Sequence, residues 1–257
     1  MNKGVINLSV VPLRSESGHT SEMVSQLLFG DTLEITDSKD NWLYIKADYD
    51  GYCGWLQASQ CLHLSDEEYI EIINNNRAIT TDAFATATNI ITNIKSFIPT
   101  GSSIALYDNN ILKLGKEEYL FHGNHSEPFA GIKNLVKNAM MYLNAPYLWG
   151  GRTMFGIDCS GFTQMVYKLS GIKLLRDAKQ QAEQGTIVDF ITEAHHGDLM
   201  FFDNENGDIV HVGIYIGLNK IIHASGKVRI DPVDHQGIFN TDLNHYSHVL
   251  RLIKRIV

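Results

Sequence analysis

Two kinds of apolar spacing divide the chain. Over residues 5 to 62, short apolar runs alternate with turns: Leu27-Leu28-Phe29 before Gly30-Asp31, Leu33-Glu34-Ile35, Trp42-Leu43-Tyr44-Ile45, then Gly51-Tyr52-Cys53-Gly54-Trp55-Leu56. Short runs bounded by Gly and Asp predict short strands, and this cadence is that of a small β-barrel spanning residues 1–64. The acidic stretch Asp66 to Asn76 is helical in pattern and is expected to be a linker. Between Ile79 and His122 strand-like runs return, with Ser103-Ile104-Ala105-Leu106-Tyr107 and Ile111-Leu112-Lys113-Leu114 flanking a turn at Asn109-Asn110. They predict a second, degenerate barrel within residues 65–125, lacking the Trp and Gly-Tyr-x-Gly-Trp features of the first. A second linker, Gly123 to Pro128, leads into a helical run from Ile132 to Leu143.

The second half, residues 126–257, reads as α+β. Pro146-Tyr147-Leu148-Trp149-Gly150-Gly151 is a turn-rich approach to Asp158-Cys159-Ser160-Gly161-Phe162. Phe162, Val166 and Leu169 then recur at helical spacing up to Gly171, a C-cap residue. Cys159 is therefore expected to open a buried helix, where the unpaired N–H groups and the positive end of the helix dipole favour thiolate. His211 follows 52 residues later and His223 another 12 beyond it, in two strand-like runs. Alternation places His211, Gly213 and Tyr215 on one face of the first strand, with Gly213 leaving room beside the imidazole. The histidines can meet only if the turn at Gly217-Leu218-Asn219-Lys220 permits, because a plain two-residue turn at Leu218-Asn219 would put them on opposite faces. An odd-numbered loop or a bulge is expected. Cys159 as nucleophile, His211 as base and His223 as orienter then form a set competent to attack an amide, with the backbone N–H of Cys159 as an oxyanion donor. The same arrangement predicts an imidazolium–thiolate pair with a depressed thiol pKa.

Composition narrows the alternatives. A net charge of −8 without clustered Lys or Arg argues against nucleic-acid binding, and no apolar run reaches membrane-spanning length. The N-terminus does not read as a signal peptide, so a cytoplasmic location is expected unless an export signal has been removed. Three cysteines are too few for a disulfide framework. Cys159, His211 and His223 with Asp158 form a donor set that could hold zinc, but no close ligand pair anchors such a site, and neither a metal nor a cofactor is expected. Cys53 and Cys61 read as inert thiols, Trp42, Trp55 and Trp149 as core, and His195 and His196 as turn residues. His19, His63, His122, His125, His235, His245 and His248 read as surface or structural.

Five segments in order resemble the motifs of the NlpC-type cell-wall cysteine peptidases: Pro146 to Gly151, Asp158 to Phe162, Gly197-Asp198-Leu199-Met200-Phe201-Phe202, His211 to Gly217, and Ile221 to Ser225. The first 64 residues resemble the bacterial Src-homology-3-like module, with its Gly-Asp turn and Trp strand. The resemblance implies a papain-like catalytic domain preceded by two small SH3-like barrels, as in γ-D-glutamyl-L-diamino-acid endopeptidases. It also implies cleavage of the γ-D-glutamyl bond to a diamino acid, meso-diaminopimelate or L-Lys, in small muropeptides with a free N-terminal L-Ala, by a monomer. It implies that the Tyr147 hydroxyl is a second oxyanion donor and that Tyr52 of the first barrel reaches the cleft, with Glu22 as a candidate barrel acid. Asp158 and Ser160 flank the nucleophile and are expected to accept from the substrate ammonium. Two other classes stay open at this stage: a peptidoglycan-binding protein with an inactive second half, and a papain-like amidase, deamidase or acyltransferase using the same triad.

Overall fold

The computed structural model describes residues 2–75, 78–105, 110–127 and 134–257. The chain divides into two units, Met1–Phe129 and Ala130–Val257.

In the first unit, seven antiparallel strands follow one another in the sheet in the order Met23–Leu28, Val10–Arg14, Cys53–Gln57, Trp42–Ala47, Thr32–Lys39, Lys3–Val5 and Leu62–Leu64. The predicted Gly-Asp turn has a visible cause. Gly30 takes φ +79°, and the buried Asp31 carboxylate accepts the Leu28 N–H at 2.9 Å. Gly54 lies so close to the neighbouring strand that a Cβ there would meet Leu13 Cγ at 2.7 Å, while Trp55 packs beside its cross-strand partner Tyr44 with ring centroids 5.1 Å apart. Val11, Leu13, Leu27, Leu33, Ile45 and Leu56 fill the interior.

The rest of this unit is a four-stranded and a three-stranded sheet. Ser103–Ile104 is a strand paired with Ala78–Thr80, whereas Leu106, Tyr107 and Asn109 of the predicted run and turn lie outside the described residues. Ile98, Leu112, Tyr119 and Phe121 form their core together with Val5, Phe29 and Leu64 of the preceding barrel. Ile72 joins the same core from the Asp66–Asn75 helix, so the acidic stretch expected as a linker also packs as a structural element. Tyr69, one turn before Ile72, packs against the same core, so two apolar side chains on one face dock the helix.

In the second unit, antiparallel strands run in the order Thr186–Val188, His245–Arg255, Leu199–Asp203, Ile209–Tyr215, Lys220–Ser225 and Lys227–Pro232, with Gly237–Asn240 also pairing to the long His245–Arg255 strand. The Cys159–Leu169 helix packs on the Ile209–Tyr215 and Lys220–Ser225 strands, and every one of its residues is buried. Its ends follow from sequence. Asp158 caps the start by accepting the Gly161 N–H, and Gly171 at φ +75° closes it, with Gly171 N–H reaching Lys168 O and Ile172 N–H reaching Tyr167 O. A second helix, Leu135–Met140, buries Leu135 and Ala139; the predicted start of this run at Ile132, and Pro128 before it, lie outside the described residues. The architecture is α+β, an antiparallel sheet with a buried helix against it, preceded in the chain by SH3-like β-structure.

Candidate active site

The nucleophile's helix begins on a rigid platform. Asp158 Oδ1 accepts from the Gly161 N–H at 2.6 Å and from Arg176 Nη1 at 3.0 Å, while Oδ2 accepts from the Gly150 N–H at 2.8 Å and from Arg176 Nη2 at 2.5 Å. Arg176, 1% exposed, also donates to Ser160 Oγ at 3.0 Å. Gln181 Nε2 ties the same turn down by donating to Ser160 O and Leu175 O. A Cβ on Gly161 would lie 2.3 Å from Gly151 O, so the Gly150-Gly151 turn and the helix start can approach this closely only as glycines. The carboxylate of Asp158 is thus engaged on both oxygens by the protein itself, and an ammonium ion would have to share them with Arg176. Its placement is that of a cap and a clamp on the helix that carries Cys159.

Strand register brings the two histidines together. Gly213 pairs with His223, Ile214 with Ile222 and Tyr215 with Ile221. Lys220 N–H bonds to Gly217 O and Ile216 N–H to Lys220 O, which leaves the three-residue loop Gly217-Leu218-Asn219, with Leu218 and Asn219 at φ 52° and 53°. The loop is odd-numbered, as the facing requirement demands, so His211 and His223 lie diagonally on one face. His211 Nε2 is 2.8 Å from His223 Nδ1. Gly213 makes the space for this: a Cβ there would meet Ile221 Cδ1 at 2.7 Å and His223 Cβ at 2.8 Å.

The cluster extends beyond these residues. His223 Nε2 lies 2.9 Å from Asp231 Oδ2, and Asp231 also accepts from Arg229 Nε at 2.6 Å and Nη2 at 2.8 Å. On the other side His248 stacks against His211, with ring centroids 4.1 Å apart and planes 25° apart. His248 belongs to the long C-terminal strand, two residues before Leu250, which pairs with Phe202, itself the partner of His211. Reading His248 as surface or structural missed this contact, and Asp231, Arg229 and Arg176 drew no attention in sequence. Arg229-Ile230-Asp231 does alternate polar and apolar residues at strand period, but only the register opposite His223 shows where that polar face points.

Burial sets the protonation of the cluster. It holds His211 well below the usual histidine range, with His223 and His248 adding to the effect. It also lowers His223, against the opposing pull of Asp231. Burial works against the Asp231 anion, but the hydrogen bonds from His223 and Arg229 prevail and bring the carboxyl below its usual range. The Cys159 sulfur lies against the backbone N–H groups of Val212 and Ser160, which favour its anion; burial and the nearby Asp158 charge outweigh them and push the thiol up to about 12. Burial works against the expected depressed thiol: a dry site disfavours thiolate and imidazolium each taken singly, which favours thiol and neutral imidazole at rest.

Tyr147 is tied by its N–H to Gly226 O, and its backbone bridges to Ile157, one residue before Asp158. Burial, with contributions from Cys159 and Asp158, pushes its phenol up to about 12, so at neutral pH it carries a proton to donate. Trp149, expected in the core, is 60% exposed on the same turn. Tyr52 and Glu22 belong to the first unit. The Tyr52 ring packs against the barrel core, and Glu22 is exposed, its carbonyl accepting from the Ser15 N–H. Among the described residues no group of three or more His, Cys, Asp or Glu is placed to hold a metal ion, and no helix is long and apolar enough to cross a membrane.

Residues 144–246 match the model of the NlpC/P60 family, and residues 13–60 match that of the bacterial dipeptidyl-peptidase Sh3 domain. A γ-D-glutamyl-L-lysine dipeptidyl-peptidase of Bacillus cereus is 26% identical over 246 residues, 85% of this chain and 73% of that protein. Dipeptidyl-peptidase 6 of Lysinibacillus sphaericus is 28% identical over 263 residues, 92% of this chain and 93% of that protein. The crystal structure of an NlpC/P60 family protein from Bacillus cereus superposes with a TM-score of 0.81 at 22% identity, covering 99% of both chains, which establishes the shared fold. An NlpC/P60 endopeptidase from Photobacterium damselae subsp. piscicida superposes with a TM-score of 0.73 at 18% identity, covering 97% of this chain and 70% of that one. Along this chain, then, a bacterial dipeptidyl-peptidase Sh3 domain is followed by an NlpC/P60 domain.

Proposed function

We propose that the protein is a cysteine peptidase that cleaves the γ-D-glutamyl–diamino acid bond of small muropeptides bearing a free N-terminal L-Ala, using Cys159, His211 and His223. The observation that carries this reading is the 2.8 Å contact between His211 Nε2 and His223 Nδ1, beside the strand N–H of Val212 that touches the sulfur at the start of the buried helix. Names of relatives over most of this chain's length, among them γ-D-glutamyl-L-lysine dipeptidyl-peptidases, support the substrate class.

The reaction follows from the resting protonation. Cys159 Sγ attacks the γ-carbonyl carbon as its proton passes to His211 Nδ1, so thiol and imidazole become thiolate and imidazolium with no net charge added to the dry site. The carbonyl π electrons move to oxygen, and the oxyanion accepts from the Cys159 N–H at the helix start and from the Tyr147 hydroxyl. Collapse breaks the C–N bond, His211 gives its proton to the leaving amine, and a thioester remains. Water then attacks with His211 as base, releasing L-Ala-D-Glu and restoring the thiol. His223 holds the imidazole edge throughout. Ser160 is the substrate-side acceptor assigned beside the nucleophile. Asp158 acts chiefly through the helix it caps.

Incubating the enzyme with L-Ala-γ-D-Glu-L-Lys and with the meso-diaminopimelate analogue, with mass analysis of products, tests the assignment. Free diamino acid and the L-Ala-D-Glu dipeptide are expected from both or one. Acylating the L-Ala amine should cut turnover strongly, since acceptors meant for an ammonium lose their partner. Cleavage of neither peptide, or equal rates on the free tripeptide and on intact sacculi, would overturn the substrate assignment.

A further inference from the structure

We propose that Asp231, braced by Arg229, is a positioning residue that sets the proton order of the His223–His211 pair so that the bare Nδ1 of His211 faces Cys159. The inference rests on the triad proposed above and adds a fourth and fifth member to it.

Donors and acceptors fix the proton order. Asp231 and His223 are each 1% exposed and His211 is 5% exposed, so solvent is largely kept from their ring nitrogens and carboxylate oxygens. An ionised carboxylate only accepts, so the 2.9 Å contact between Asp231 Oδ2 and His223 Nε2 requires the proton on that nitrogen. A neutral imidazole has one donor and one acceptor, which makes His223 Nδ1 the acceptor. The 2.8 Å contact from His211 Nε2 must then be a donated hydrogen bond. It follows that His211 Nδ1 holds a lone pair, the state a general base needs. Without the carboxylate the opposite order is open: His223 Nδ1–H donates to His211 Nε2, and His211 presents Nδ1–H to a thiol it cannot deprotonate. When the thiol proton arrives, the same carboxylate lies two hydrogen bonds from the new cation.

Arg229 gives Asp231 its fixed character. Its Nε and Nη2 meet both carboxylate oxygens, and Nη1 reaches Asp242 Oδ2 at 2.8 Å. A bidentate guanidinium keeps the carboxyl ionised and shares its charge, so the proton stays on imidazole. Strand register builds this in, because His223 pairs with Arg229, and Asp231 follows two residues on, on the same side. His248, stacked on its ring, also faces His211, while Asp158, Arg176 and Tyr147 are the charged and titratable groups around Cys159.

Two measurements test the proposal. In the wild-type protein, ¹⁵N–¹H NMR of the histidine side chains should show His223 protonated at Nε2 and His211 protonated at Nε2; the reverse order at either ring overturns it. In Asp231→Asn, made in a Cys53→Ser background and checked for cooperative unfolding, iodoacetamide labelling of Cys159 should slow about tenfold at neutral pH. For the tripeptide, kcat should fall with KM nearly unchanged. Asp231→Glu should recover part of the loss. A labelling rate and kcat indistinguishable from wild type in Asp231→Asn would overturn the proposal. Failure of the triad itself would show separately, as full turnover by Cys159→Ala.

Discussion

Cys159 sits where water hardly reaches, so its sulfur depends on a neighbour to ionise it. With the thiol pushed up to about 12 and His211 held below its usual range, neither residue alone supplies a nucleophile at neutral pH. Replacing either by Ala should therefore abolish turnover while leaving the fold intact, as followed by product formation and circular dichroism. At His223 the outcome should be graded: Gln, whose amide oxygen can still accept from His211, should retain more activity than Ala. His248 has a different part. Its ring stacks on His211 and makes no hydrogen bond to it, so His248→Ala should lower kcat by roughly the factor of 2 to 13 that 0.5–1.5 kcal/mol of ring contact represents. Undiminished kcat would show that the stack is incidental. The difference in legibility among these residues is physical. Cys159, His211 and His223 are flagged by their local surroundings, a capped helix start and two alternating strands. His248 and Asp231 have nothing local to mark them, because what makes them part of the cluster is pairing between strands.

At the scale of elements, two devices hold the site, and each can be broken separately. The first is the hairpin, whose odd three-residue loop puts both histidines on one face; its need could be reasoned from alternation alone, although the φ values that achieve it could not. Gly213 is the tight point in this hairpin. Gly213→Ala should push His223 from His211 and cost about a hundredfold in kcat, the scale of a 1 Å misplacement, with little loss of helix content. Near-normal activity in that variant would mean the strands can spread without consequence. The second device is the clamp of Arg176 on Asp158. Removing one member of a buried ion pair leaves the other charged in a dry place, so Arg176→Met should destabilise the second domain by about 3–5 kcal/mol in denaturant unfolding. This clamp was invisible in sequence because Arg176 lies 18 residues from Asp158, in a segment without a recognisable period.

For the whole molecule, the histidine cluster links stability to pH. Burial keeps His248 down to about 4 and holds His211 and His223 below the usual 6.5. The unfolded chain therefore binds more protons than the native one below 6.5, and the stability present above that pH is lost as it falls towards 4. Melting temperature should drop across this window, before the lowered carboxyls of Asp231 and Asp234 begin to titrate, and His248→Phe should flatten the drop. An unchanged slope would remove His248 from the linkage. The broad plan of the molecule, β-rich modules followed by an α+β domain, was legible from the change of apolar period along the chain. The docking of the Asp66–Asn75 helix was not, because Ile72 and Tyr69 meet the core while Ile70 and Ile73 of the same helix stay exposed, which blurs its apolar stripe. In the proposed reaction Cys159 forms a covalent acyl-enzyme with the substrate. Acid-quenching the enzyme during turnover of L-Ala-γ-D-Glu-L-Lys and mapping its peptides by mass tests this most directly. An L-Ala-D-Glu thioester on Cys159 is expected, absent together with all product in Cys159→Ala. Product released at the wild-type rate by Cys159→Ala, or turnover with the acyl group on another residue, would contradict it.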